Sequence, residues 1–236
     1  MKDSHSFAEM ALFFCAFFLP GYAAQALGAP TGPATDALMI QSIIAGLPQF
    51  LLMAYVVIVS GRTPASRWGL GRVEPRDGVR AALLTLGCFL VVTPFVALVL
   101  ALPPEVMRRF SQGYRWGLSN AAQLPVALLF GLTAGYREEF FFRAYLLGRM
   151  DELGVPAPAA VAMSTALFCI GHFYEGLLAV AVTAALGLLL AAAWRRWGSL
   201  HVVAVAHGMY NVLVLCLGLV LPRTLPDPAV MRMIYP

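Results

Sequence analysis

The stretch LPVALLFGLTAGYREEFFFR, residues 124–143, decides how this chain is read. Its opening part, Leu124 to Ala134, carries no charge, and two adjacent glutamates, Glu138 and Glu139, follow. A carboxylate in or near hydrocarbon costs several kcal/mol unless it is paired or hydrated, so a doubled one marks a functional site by default. Glu139 and Arg143 stand four residues apart, which puts them on one face of a helix as an ion pair. Glu138 is turned about 100° away from Glu139 and does not share that pairing. The spacing therefore assigns Glu139 a structural place beside Arg143 and leaves Glu138 free for chemistry.

Outward from this stretch the chain reads as membrane. It has 236 residues, 60% hydrophobic and 12% charged, half the charge of an average soluble domain. Apolar runs long enough to approach the roughly 20 residues of a transmembrane helix are Phe7–Leu27, Ala37–Ser60, Val79–Leu102, Asn120 to about Arg149, Ala157–Tyr174, Gly176–Trp194 and Leu200–Leu221. The expected fold is all-α: a polytopic transmembrane bundle of about seven spans, with six to eight admissible, forming a single integral membrane domain over 1–236. The runs are too continuous for the alternating pattern of a β-barrel. Residues 2–26 loosely resemble a secretory signal, but Asp3 and Glu9 weaken its basic head, so the first run is kept as a span.

Lys/Arg placement sets orientation. With the N-terminus cytoplasmic, the inner side takes Lys2, Arg62, Arg67, Arg72, Arg76, Arg80, Arg137, Arg143, Arg149, Arg195 and Arg196; the outer side keeps Arg108, Arg109, Arg115, Arg223 and Arg232. The polar connection Gly61–Gly78 is expected to lie along the interface with Trp68 as an anchor. Arginines and aromatics between Pro103 and Leu118 suit a second interfacial piece, and Pro222–Pro236 reads as an irregular tail. Gly131 and Gly135 form a small-xxx-small pair that lets another helix approach closely. The four cysteines fit neither a zinc site nor a disulfide framework. The net charge of +4 needs no nucleic-acid partner, because arginine-rich inner loops are the topology signal and acidic lipid headgroups account for the rest.

Three further polar side chains, His172, His207 and Asn211, lie within apolar runs. Measured from the expected inner ends of their helices, they and Glu138 sit at heights of roughly 14 to 23 Å. One shared layer is what a single site in a helical bundle produces. His207 and Asn211 are four apart and converge on one point; Phe168 and His172 repeat that spacing, with the phenylalanine as a wall beside the imidazole. Gly171, Gly176 and Gly208 are expected to leave room for water nearby.

Together, Glu138-Glu139-x-x-x-Arg143, Phe168-x-x-x-His172 and His207-x-x-x-Asn211 resemble motifs one to three of the CPBP family, the CAAX proteases and bacteriocin-processing enzymes, which includes Rce1-type endopeptidases. The resemblance covers roughly residues 124–217, the expected catalytic core. It implies an intramembrane glutamate-dependent endopeptidase: Glu138 and His172 activate a water, His207 and Asn211 hold the oxyanion, and Glu139, Arg143 and Phe168 support them. It implies no cofactor and no metal. The expected substrate is a membrane-embedded or lipid-anchored peptide or protein. The Arg-rich, Lys-poor composition points to a GC-rich bacterial genome, hence to a bacterial inner membrane and away from a prenylated substrate. His201 occupies a position where such sequences commonly carry an aromatic residue, and is read as an interfacial histidine. Glu175 is read as facing water.

Other readings remain open at this stage. A glutamate and two histidines can hold zinc, although there is no His-Glu-x-x-His and asparagine is a poor zinc ligand. Cys169 with His172 would make a thiol peptidase, although a thiol in apolar surroundings is usually inert. A transporter would favour inverted repeats, and none is visible. A non-catalytic immunity or scaffold protein of the same fold is the remaining alternative.

Overall fold

In the computed structural model, which describes residues 2–27, 36–101, 103, 117–173 and 176–224, helices occur throughout and no strand is present among the described residues. The segment Arg108–Trp116, Glu175 and the tail from residue 225 lie outside them. In chain order the helices are α1 (Lys2–Phe17), α2 (Leu19–Leu27), α3 (Asp36–Ala54), α4 (Pro75–Ala101), α5 (Leu124–Glu139), α6 (Leu146–Glu152), α7 (Ala157–Ile170), α8 (Leu177–Trp197) and α9 (Leu200–Thr224). The chain is the all-helical membrane protein that its apolar runs predict.

The runs differ in reach. Among the described residues, four helical segments are long and apolar enough to cross a membrane: Asp36–Ser60, Pro75–Leu98, Leu177–Trp197 and Leu200–Val220. The first run is divided at Phe18, and the fifth gives only Ala157–Ile170. Fourteen residues rise about 21 Å, short of a hydrocarbon core of about 30 Å. The spans of α3 and α4 are least enclosed, with 17% and 22% of their windows buried, against 44% for α9. Ile44, Leu51 and Leu52 on α3 and Leu83, Leu86 and Leu90 on α4 are exposed. Apolar surface of this extent suits lipid rather than water.

Helix α5 packs most intimately on α9. A Cβ at Gly131 would lie 2.6 Å from the Gly208 carbonyl oxygen, and one at Gly135 would lie 3.0 Å from the Gly208 nitrogen. The small-xxx-small pair therefore does what its spacing predicts, bringing two backbones into contact. On its other side α5 meets α3, where Gly46 lies against Thr133 and the Arg137 stem. The 3-10 turn Ala121–Gln123 that leads into α5 is capped by Asn120, whose side chain accepts from Ala122 N at 3.0 Å, while Gln123 donates to Asp36 at the start of α3 at 3.0 Å.

Beyond Glu139 the helix widens into a π-helical turn, Phe140–Tyr145, before resuming as α6. All six residues of that turn are buried. A helix that is apolar all round belongs in an interior, and three consecutive phenylalanines meet that condition. Phe141 and Phe142 pack tilted and edge-on against Phe18 at 4.7 and 5.0 Å, and Phe142 meets Phe168 at 5.2 Å. Ser164 of α7 donates to the Phe142 carbonyl at 2.7 Å. The N-terminal helices thus pack directly on the glutamate motif.

The polar connection between α3 and α4 corrects one expectation. Trp68 is no interfacial anchor; it is buried, at 1% exposure. Its indole donates to Thr63 Oγ1 at 2.7 Å, and the Arg149 guanidinium lies 5.5 Å over its ring. Gly69 has φ +73° and its carbonyl accepts from Leu200 N at 3.0 Å, where a side chain would strike the start of α9. Near Trp68, Arg67 pairs with Glu152, Arg149 with Glu9 (3.0 Å) and Glu152 (2.9 Å), and Arg195 with Asp151 (2.5 Å).

Candidate active site

A cavity of about 700 Å³ opens inside the helix bundle. Glu138 from α5, His172 from beyond α7, and His207 and Asn211 from α9 all line it, together with Arg137 and Phe168. The four polar residues singled out as catalytic candidates are brought together.

Glu139 and Arg143 form the predicted ion pair, Oε1 to Nη1 at 3.0 Å, with exposures of 0% and 1%. The guanidinium also donates to the Gly187 carbonyl of α8 at 3.4 Å and lies 4.3 Å over the Phe168 ring. Gly187 is where a side chain would crowd Arg143, Thr165 and Phe168. Arg143 consequently holds the π-helical turn against α7 and α8.

Glu139 has a second partner that local spacing does not reveal. The same Oε1 lies 2.8 Å from His207 Nδ1. A carboxylate ion-paired with Arg143 can only accept, so Nδ1 carries the proton. That leaves His207 Nε2 facing Glu138 Oε2 at 3.9 Å. With Nδ1–H committed, Nε2 donates only when the ring is doubly protonated.

His172 departs from its predicted setting. Helix α7 ends at Ile170, and His172 lies in the turn beyond, its backbone N–H donating to the Cys169 carbonyl at 2.9 Å. Its Nδ1 donates to the Phe168 carbonyl at 3.2 Å. A carbonyl only accepts, so in the neutral ring Nε2 bears the lone pair. Phe168 is the predicted wall, 5.2 Å from the His172 ring and edge-on to the His207 ring at 5.9 Å. Asn211 makes no hydrogen bond to any described residue and lines the cavity with its amide uncommitted.

Three features correct or extend the sequence reading. First, Glu138 is not free: Arg137 Nη2 lies 2.9 Å from its Oε1. The signal in the sequence is the adjacent arginine itself, which a reading by i,i+4 spacing does not reach. Second, Gly171 and Gly208 are closely packed on the side where a side chain would stand. A Cβ at Gly171 would lie 2.7 Å from the Tyr22 hydroxyl, and Gly208 is filled by Gly131. They admit a ring and a backbone. Tyr22, a residue the motifs do not include, lines the cavity from α2. Third, His201 is tied into the fold: Tyr136 donates to its Nδ1 at 2.8 Å, and its Nε2 donates to the Gly71 carbonyl at 3.2 Å.

Residues 120–213 match the family model described as Type II CAAX prenyl endopeptidase Rce1-like. The resemblance carried by the three motifs is thereby borne out, and Glu138, Glu139, Arg143, Phe168, His172, His207 and Asn211 all fall within the matched interval. No curated protein and no solved structure matches the chain.

Proposed function

We propose that this chain, an Rce1-like membrane protein over residues 120–213, is an intramembrane endopeptidase that uses Glu138 as its base. The observation that carries the reading is the convergence of Glu138, His172, His207 and Asn211 on one cavity. In this reading a water sits between Glu138 Oε2 and His172 Nε2. Glu138 takes its proton as the oxygen attacks the scissile carbonyl, and later passes that proton to the leaving amine. The amide of Asn211 and the Nε2–H of His207 face the oxyanion. Glu139 holds His207 in orientation and Arg143 supplies the charge that balances Glu139. All the reacting atoms belong to the chain, the water and the peptide. No metal step is invoked: Glu139 is committed to Arg143 and His207, and cleavage is expected to survive chelation.

The substrate is a membrane-embedded or lipid-anchored peptide, because the cavity opens within a bundle whose outer faces are apolar. The whole of 1–236 acts as one membrane domain. The arginine distribution supports a cytoplasmic N-terminus, and the arginine-rich composition supports a bacterial inner membrane. Fusions of a periplasmic reporter to successive loops test the orientation.

One observation favours a second reading, a non-catalytic protein of the same fold: the carboxylate proposed as base is already ion-paired, to Arg137. Comparison of protein N- and C-termini in cells carrying wild type or Glu138→Ala separates the two. Peptide ends that disappear in the variant identify the substrate; identical termini and phenotype would sink the peptidase reading.

A further inference from the structure

Neighbouring side chains on a helix point about 100° apart, yet Arg137 folds back onto Glu138. Its guanidinium is seated from two other directions. Gln49 of α3 accepts from Nη1 at 3.3 Å, and the Phe18 ring lies 5.3 Å from its centre. Its stem crosses Gly46, where a Cβ would stand 3.6 Å from Arg137 Cδ. These contacts fix Arg137 without help from Glu138, which a fortuitous surface pair would lack. Among the described residues Arg137 is also the one Lys or Arg side chain that lines the cavity.

The two oxygens of Glu138 are thereby made unequal. Oε1 is taken by Arg137 at 2.9 Å. Oε2 lies 3.9 Å from His207 Nε2, beyond hydrogen-bond reach, and stays open to a water. The geometry points to Arg137 as the positioning residue of Glu138: it holds one carboxylate oxygen, presents the other to the cavity and supplies the counter-charge that two adjacent glutamates need. This rests on Glu138 being the base of the proposed peptidase. The other groups facing Glu138 are His207 from α9, His172 beyond α7 and Tyr22 from α2, with Glu139 next in sequence. Arg137 is the permanent cation among them.

The test reads Glu138 directly and needs no known substrate. Dicyclohexylcarbodiimide reacts with protonated carboxyl groups, and mass spectrometry locates the adduct. In purified full-length protein at pH 7.5, Arg137→Gln is expected to raise the labelling rate of Glu138 roughly tenfold, the lower end of what an adjacent opposite charge is worth. Arg137→Lys disturbs the same packing but keeps the charge, and stays near the wild-type rate. Should Arg137→Gln not fold, Phe18→Leu is the second arm, with labelling up roughly two- to fivefold for the lost ring contact. A wild-type rate in whichever of these two variants folds overturns the assignment, as does equal labelling of the Lys and Gln variants. Activity separates the two claims. A Glu138→Gln protein as active as wild type removes the peptidase reading and the role given to Arg137 with it. An inactive Glu138→Gln beside unchanged labelling in the charge variant removes Arg137 alone.

Discussion

Gly131 and Gly208 are in mutual backbone contact: a Cβ on Gly131 would lie 2.6 Å from the Gly208 oxygen, and a Cβ on Gly208 would lie 2.7 Å from the Gly131 oxygen. This approach lets Glu139 on α5 reach His207 on α9. Gly208→Ala must push the helices apart, and overpacking of this kind costs about 1–3 kcal/mol. Thermal unfolding in detergent should show a lower midpoint. Gly78→Ala, in α4 where a Cβ meets nothing within 4 Å, is the control and should be neutral or slightly stabilising through helix propensity.

Glu139→Gln leaves the Arg143 guanidinium buried without its counter-charge. Breaking one side of such a pair costs about 3–5 kcal/mol. Replacing both, as Glu139→Leu with Arg143→Met, should cost less than the sum of the single changes. A double-mutant cycle on unfolding free energy measures this, and strict additivity would contradict the pairing.

Asn211→Leu should leave stability nearly unchanged, because Asn211 makes no hydrogen bond to a described residue. Turnover should nevertheless fall about 100- to 1,000-fold, as for the loss of one oxyanion donor. Once a cleaved peptide has been identified, kcat and KM separate the two effects. A raised KM with unchanged kcat would place Asn211 in binding instead.

Gly171→Ala places a methyl group against the Tyr22 ring. The turn carrying His172 must then move, and peptide cleavage should drop at least tenfold for a displacement on the order of 1 Å. Tyr22→Ala in the same chain removes the obstruction and should restore part of the loss. Failure of the double variant to recover anything would mean the ring does not brace that turn.

The helices were legible because long charge-poor runs have one solution in lipid. The Glu139–Arg143 pair and the Gly131/Gly135 approach were legible because their spacings are local. What escaped was non-local or set by a break in regularity. The Glu139–His207 bond joins residues 68 positions apart, and nothing in Phe140–Tyr145 announces a π-helical turn. Helix α7 ends at Ile170, and Gly171 beyond it packs against the Tyr22 ring. That places His172 on a turn instead of a helix face. Trp68 was misread because an aromatic among arginines usually marks an interface, whereas here the loop tucks it beneath Arg149.

Phe18 and Tyr22 stand one helical turn apart, the first against Arg137 and the second against the turn that bears His172. Both lie outside the interval that the family model matches. Any attempt to graft that interval into a relative as a cassette would therefore separate the proposed base and its imidazole partner from their shared buttress. A chimera keeps the two in register only if residues 18–22 travel with it.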